Sequence, residues 1–432
     1  MAGETPFPIE PYPDLTPRVV HNGTQDTHRE NAAIRRLIKP FPGKEHPYYY
    51  GYFIYHFVYE EEEGMRFTCL VSDLVAALNV VTRAIAARST VQIMEGVLMV
   101  SCPEGIRLTC TDLALGIETH VDAQIAKEGS VVLPGKLLAE IVRKLPEGQM
   151  EISVSEENVA SIKCAGSRTT LTGLLADEFP ALPEVGESKT IFMPQSVLRE
   201  MIQRTTFAIA TDETRPILTG CLMEAEGEEM SIVALDGFRL ALRKENFGRE
   251  LPTLTAVVPG KALNEIARVL SDTDAMVTLS WGVSHLMADI EQTRIVARLL
   301  EGEFIRYKQI LPSEWQTRIA ISKNDMEAAL DRASLMAREG KNNLVKLHIE
   351  EGTLLITSNA ELGDVREEIV IEFQGRELDI AFNVRYIADT LRAIEDENIV
   401  LKFNSNVSPC VLCPTFGDKF TYLALPVRVF SA

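Results

Sequence analysis

The segment LPGKLLAEIVRKL, residues 133–145, returns as VPGKALNEIARVL at 258–270 and, more loosely, as FNVRYIADTLRAI at 382–394. The first two copies share Pro, Gly, Lys, Leu, Glu, Ile, Arg and the closing Leu; the third replaces Pro-Gly by Asn383-Val384. A second marker keeps step. LTCTDLALGIE (108–118) matches IVALDGFRLAL (232–242) and LITSNAELGDV (355–365), which places Asp112, Asp236 and Asn359 one period apart. Two unrelated markers sharing one period of about 125 residues indicate tandem copies of a domain of ordinary size.

Each copy opens on a helical pattern. Leu74, Leu78, Val81 and Ile85 fall on one face, with Ser72 as candidate N-cap; QSVLREMIQRTTFAI (195–209) and NDMEAALDRASLMA (324–337) are the counterparts. Alternating runs such as GVLMVSC (96–102) and KLHIEEGTLLIT (346–357) read as antiparallel strands. Two helices among many strands per copy give an α+β fold, with the helices on one face of antiparallel sheets. The expected copies are 65–188, 189–316 and 317–432.

Residues 1–64 have another character. They hold seven of the ten tyrosines, no cysteine, and prolines at Pro6, Pro8, Pro11, Pro13 and Pro17, which disfavour packing. They end in YYYGYFIYHFVYEEEEG (48–64), directly before Met65. The aromatic part is shorter than the ~20 residues a membrane helix needs, and its glutamates repel phosphates and anionic lipids. Glutamate codons are purine-rich, so the run has the look of a translated ribosome-binding site. The expectation is an upstream read-through or fused segment, with Met65 as the physiological start.

The chain has 432 residues, is 46% hydrophobic and carries a formal charge of -19. That balance suits a cytoplasmic protein whose surface repels nucleic acid on average. Seven irregularly spaced cysteines point to free thiols in a reducing compartment. No secretory signal and no apolar run of bilayer length is present. Cys410-Val-Leu-Cys413 is the one candidate metal or redox pair. In a strand its members face opposite sides and no second pair exists, so a structural role is expected. There is no phosphate loop, dinucleotide fingerprint or nucleophile elbow, and VPGK lacks the flanking residues of a phosphate loop. The expectation is no catalysis, no cofactor and no metal.

The charge repeats with the domains. The second helix of each copy carries two basic residues seven apart: Lys136 and Arg143, Lys261 and Arg268, Arg385 and Arg392. Seven residues is nearly two turns, so each pair shares a face, with Leu137, Leu138, Ile141 and Leu145 opposite in the first. The opening helices add Arg83, Arg88, Arg199, Arg204, Arg332, Arg338 and the following Lys341. One basic face is ordinarily a solvated face. Three in register, in an acidic protein, point at one shared place suited to a phosphate backbone. Nothing resembles an element that reads base edges.

At these residues the chain resembles the bacterial sliding-clamp family, the beta subunit of DNA polymerase III. The likeness runs from Met65-Arg66-Phe67 to the end of the chain. Its motifs are TRPILTGCLMEAEGEEMSIVALDGFRLAL (214–242), LLADEFPALPEV (174–185), EIVRKLPEG (140–148) and LALPVRV (423–429). The resemblance implies a homodimeric ring of six domains and twelve inward helices that encircles duplex DNA independently of sequence. Such a ring slides freely and tethers the polymerase. It implies partners carrying clamp-binding peptides: the replicative polymerase alpha subunit, the clamp loader delta subunit, other polymerases and repair proteins. Carried over by position, the peptide pocket comprises Arg215, Leu218, Leu235, Gly237, Arg239, Leu240, Ile305, Ile310, Val407, Pro409, Leu423, Leu425, Pro426, Val427 and Arg428. Subunit contacts fall on Leu171 at one end and on Leu335 and Met336 at the other. The chain departs from the family at Leu235, Phe238, Ile305 and Val91-Gln92-Ile93, and in the added Phe430-Ser431-Ala432. The rival reading is a peptide-binding repeat scaffold that never meets DNA; it leaves the basic pairs unexplained.

Overall fold

The structure, a computed structural model, describes residues 63–86, 91–186, 188–340 and 343–428. The reading of residues 1–62 lies outside them, as do Arg88, Lys341, Phe430, Ser431 and Ala432. The first strand, Glu63–Leu70, begins two residues before Met65, with Glu63 opposite Ser155.

Three copies follow, each with two helices: α1 (Val71–Val81) and α2 (Gly135–Lys144), α3 (Gln195–Gln203) and α4 (Gly260–Val269), α5 (Lys323–Glu339) and α6 (Val384–Arg392). The strands Lys189–Pro194 and Thr317–Ser322 open the second and third copies. The expected α+β pattern is the observed one. Leu74, Leu78 and Val81 of α1 are buried, as the forecast face requires, and Leu263 and Ile266 of α4 and Ile387 and Leu391 of α6 are buried as well. Ser72 does not cap α1. Its hydroxyl bonds Asp73 instead, and the first helical N–H, that of Val71, donates to the Gly148 carbonyl at 3.0 Å. Leu137 also departs from expectation. It stands out into solvent, 48% exposed, while Leu138 fills the core.

The packing explains why the repeated motif begins with Pro-Gly. A Cβ at Gly135 would sit 2.4 Å from Cδ1 of Ile85, and one at Gly260 would sit 2.4 Å from Cδ1 of Ile209. The helix start is pressed against the end of the preceding helical segment, so a side chain there would push the isoleucine tip aside and, at Gly260, also meet the Thr219 carbonyl at 2.9 Å. In the third copy Val384 takes that place, and Asn383 caps α6 by accepting from the Arg385 N–H at 3.0 Å.

The sheets do not respect the copy boundaries. An eight-stranded sheet joins copies one and two where Leu115–Val121 pairs with Thr293–Arg298. A nine-stranded sheet joins copies two and three where Arg239–Asn246 pairs with Phe420–Ala424. Each junction is thus a continuous antiparallel ladder. The corresponding strands at the two ends, Ser167–Thr172 and Gly363–Val370, are left as sheet edges.

The two sequence markers meet at these junctions. Asp112 Oδ1 accepts the N–H groups of Ala114 and Leu115, and Asp236 Oδ1 accepts those of Phe238 and Arg239. The repeated aspartate therefore folds the hairpin turn. Its second oxygen takes a cation, Lys261 of α4 for Asp112 and Arg239 for Asp236.

Candidate functional site

The second helices present their basic pairs to solvent. Lys136, Arg143, Lys261, Arg268, Arg385 and Arg392 are all exposed. Most have a light local partner. Arg143 donates to Asn79 Oδ1 at 2.9 Å, Arg268 to Glu265 at 2.7 Å, and Arg392 to Asp389 at 3.2 Å. Arg385 lies 3.8 Å from Asp389. Exposed pairs of this kind contribute roughly 0–1 kcal/mol, so these cations can exchange their local partners for a phosphate. Lys136 has no ion pair among the described residues.

The opening helices are less uniform. Arg83 is exposed, donates to the Asn79 carbonyl and reaches Glu265 of α4 at 3.4 Å. Arg338 is exposed, and Arg199 is half-buried. Arg332 is exposed but held by both oxygens of Glu367 at 2.8 and 2.6 Å. Arg204 is not a free cation. Its side chain is 11% exposed, donates to the Ala393 carbonyl at 2.7 Å and is paired with Glu200 and Glu395. It ties α3 to the end of α6, which spacing alone could not reveal.

The pocket residues separate into a floor and a mouth. Leu218, Leu235, Leu240 and Leu423 are buried together with Leu222, Val233, Leu242, Val257, Phe304, Tyr307 and Val411. This cluster is distinct from the main core and straddles the second junction, where Leu240 is opposite Leu423. Leu235, where the resembled family carries a polar residue, is 3% exposed and enlarges the apolar floor. Ile305, Ile310, Val407 and Leu425 are exposed, and Pro409, Pro426 and Val427 are half-buried. Exposed apolar side chains gathered beside an apolar cluster are what a docked peptide covers. Gly237 has φ +92, and a Cβ there would lie 3.5 Å from Arg215 Nη2, so the exposed Arg215 lies over the turn. Arg428 is exposed.

Arg239 serves the junction instead of the mouth. It pairs with Asp236 at 3.0 Å and Asp389 of α6 at 2.7 Å, and sits 5.5 Å from the Phe207 ring and 5.2 Å from the Tyr386 ring. The sequence reading missed Phe304, Tyr307, Ile217, Leu300 and Leu311, which pack into or against the cluster. A cavity of about 800 Å³ is lined by the 299–309 segment together with Leu222, Glu224 and Val257, and shares only Ile305 with the expected pocket. Tyr307 donates there to Glu224 at 2.7 Å, and burial pushes its phenol pKa upward.

At the ends, Leu335 is exposed on α5 and Met336 half-buried. Leu171 is 8% exposed on the edge strand Ser167–Thr172. All seven cysteines are free; burial raises the pKa of Cys410 far up and also raises that of Cys413. No group of metal-binding side chains, and no helix long and apolar enough to cross a membrane, occurs among the described residues.

Three family models match in tandem. They are the N-terminal domain of the DNA polymerase III beta subunit over 65–183, its central domain over 192–305 and its C-terminal domain over 308–428. The beta sliding clamp of Halalkalibacterium halodurans is 35% identical over 370 residues, covering 82% of this chain and 97% of that one. That of Bacillus subtilis is 33% identical over 380 residues, covering 85% and 100%. The crystal structure of the Bacillus subtilis sliding clamp superposes with a TM-score of 0.82 at 33% identity, covering 85% of this chain and 100% of that one. A Pseudomonas aeruginosa sliding clamp bound to griselimycin gives 0.80 at 28% identity, with coverage of 85% and 100%. With all three domains matched in order and relatives above 30% identity along their length, the chain belongs to the bacterial sliding-clamp family, the beta subunits of DNA polymerase III.

Proposed function

We propose that two copies of this chain close head to tail into a ring around duplex DNA and slide on it as a processivity factor without catalytic activity. The observation that carries the reading is the threefold recurrence of an exposed basic pair on α2, α4 and α6 in a chain of charge -19. Contacts made by Lys136, Arg143, Lys261, Arg268, Arg385 and Arg392, with Arg83, Arg199 and Arg338 beside them, are to phosphates and carry no base sequence. The acidic remainder discourages binding on the outer surface.

The internal junctions supply the geometry of closure. Each copy lends the strand after its repeated Asp or Asn to the last strand of the next copy. Gly363–Val370 and Ser167–Thr172 are the two strands left over. Pairing them between subunits is heterologous and closes after two, with Leu171 at one side and Leu335 and Met336 at the other. Copy limits at 65–188, 189–316 and 317–432 belong to the same reading.

The apolar floor and mouth at the second junction would take a short peptide with Leu and Phe anchors. Such peptides would come from the replicative polymerase alpha subunit, the loader delta subunit, or other polymerases and repair proteins in the cytoplasm. The test is retention on nicked circular plasmid after loading with a clamp loader and ATP, followed by linearisation. A ring slides off the ends; equal retention on linear and circular DNA overturns encirclement.

A further inference from the structure

The 299–309 segment divides its large side chains between inside and outside. Phe304 and Tyr307 turn inward, 8% and 4% exposed, while Ile305 between them is 36% exposed. Leu300 N–H donates to the Val257 carbonyl at 2.9 Å and anchors the segment to the strand Leu254–Pro259. The cavity of about 800 Å³ that the segment lines falls within the roughly 300–1,000 Å³ typical of ligand pockets.

This cavity and the peptide site share one apolar foundation. Leu222, Val257, Phe304 and Tyr307 line the cavity and also belong to the cluster that holds Leu218, Leu235, Leu240 and Leu423. Ile305 belongs to the cavity and to the mouth. It is also a position where the chain departs from its family, and its aliphatic side chain makes the two surfaces continuous. A second aliphatic group stands on the cavity lining. Val283, in the turn between Met276–Trp281 and His285–Ile290, is fully exposed. That turn closes through its backbone, with Gly282 N–H donating to the His285 carbonyl at 2.9 Å, and does not need the valine side chain.

Charge decides the class of occupant. Each charged side chain on the lining already has a partner. Glu224 accepts from Tyr307 at 2.7 Å and lies 3.5 Å from Lys308. Glu301 pairs with Arg298 at 3.1 Å, and Glu303 with Arg306 at 3.2 Å. A cavity with satisfied charges and an apolar wall suits an apolar side chain, not a small ion. We propose that a partner peptide docked at the mouth continues over Ile305 and seats a second apolar anchor in this cavity, against Leu222, Val257, Phe304 and Val283. The extension rests on the peptide reading above and adds to it a preference for partners with an apolar residue flanking the Leu/Phe motif.

Anisotropy titrations of the full chain compare a fluorescent Leu/Phe clamp-binding peptide with the same peptide lengthened by two glycines and a phenylalanine, at one terminus or at the other. Serine in place of the added phenylalanine is the control. One of the two lengthened peptides is expected to bind about tenfold tighter than the short one, and its serine control is not. The gain is expected to vanish in Val283→Asp, at the exposed turn, and in Thr255→Trp, which narrows the cavity from an exposed strand position. Both variants should bind the short peptide as the parent does. A short peptide that binds with no gain from either extension, or a gain that survives in both variants, overturns the second anchor while the pocket stands. A parent chain that binds neither short nor lengthened peptides overturns the pocket and the extension together.

Discussion

The Lys261 ammonium donates to Oδ2 of Asp112 at 2.5 Å, so the conserved spacing of the two sequence repeats is realised as a contact between copies. Asp112 is mostly shielded while Lys261 is about half exposed, which leaves the cation able to serve the junction or a phosphate. Asp112→Asn keeps an oxygen for the turn N–H groups and removes the charge. The expected cost in urea unfolding is at most about 1 kcal/mol, smaller in high salt. Loading on DNA should be unaffected or better. Lys261→Glu should load poorly at every salt concentration. Equal loading by the two variants would contradict a role for Lys261 at the DNA.

Arg243 makes the second junction more costly to break. It is 1% exposed and donates to the Lys419 carbonyl at 2.9 Å and to Glu200 at 3.1 Å, linking α3, its own strand and the third copy. Arg243→Met leaves Glu200 without its main partner and should lower stability by about 3 kcal/mol in denaturant titration. Burial tends to raise the Glu200 carboxyl pKa, but Arg243, Arg204 and Lys419 outweigh it and the net shift is downward from 4.5. A depressed folded pKa contributes stability above the unfolded value that is lost as pH falls through the folded one. Glu200→Gln should therefore be less stable than the parent at neutral pH and converge on it only as the pH falls through the depressed folded pKa, below the usual glutamate range. Parallel stability curves across that range would remove Glu200 from the account.

Much of this was legible from residues 133–145 and their echoes, because tandem copies must repeat whatever their packing and junctions require. The Pro-Gly start recurs because Ile85 and Ile209 crowd it, and Asp112 recurs because it folds the tip. What stayed hidden depends on neighbours far away in sequence. Arg204 looks like a surface cation by spacing and Arg239 like a pocket residue by resemblance, yet their partners Glu395 and Asp389 lie in another copy. Leu137 looks like core by periodicity, yet its side chain lies at the margin of the apolar face.

The pocket's two layers should respond differently to truncation. Leu240→Ala empties part of a closed cluster and should cost about 2–4 kcal/mol of stability. Leu425 stands at the exposed mouth, so Leu425→Ala should cost under about 1 kcal/mol. The same change should weaken a fluorescent Leu/Phe clamp-binding peptide about tenfold in anisotropy titrations. A mouth variant that binds normally, beside an equally stable floor variant, would mean that the peptide sits elsewhere.

Charge across the free strand edges gives the last test. At the first junction Glu118 lies opposite Arg294. Carried to the ends by the repeat, the same register sets Glu367 of Gly363–Val370 opposite Arg168 of Ser167–Thr172 in the second subunit. Arg168 is exposed and bonds Ser161 at 3.2 Å, while Glu367 is held below its usual carboxylate pKa by Arg332. Arg168→Glu sets two acids face to face and should raise the dimer dissociation constant about tenfold or more, most strongly at low salt. Glu367→Arg should do the same by opposing Arg168. The double reversal restores opposite charge and should return the constant to within about threefold of the parent. Because Glu367→Arg also releases Arg332, monomer stability must be followed alongside. Additive losses in the double variant would show that these strands do not meet in the expected register.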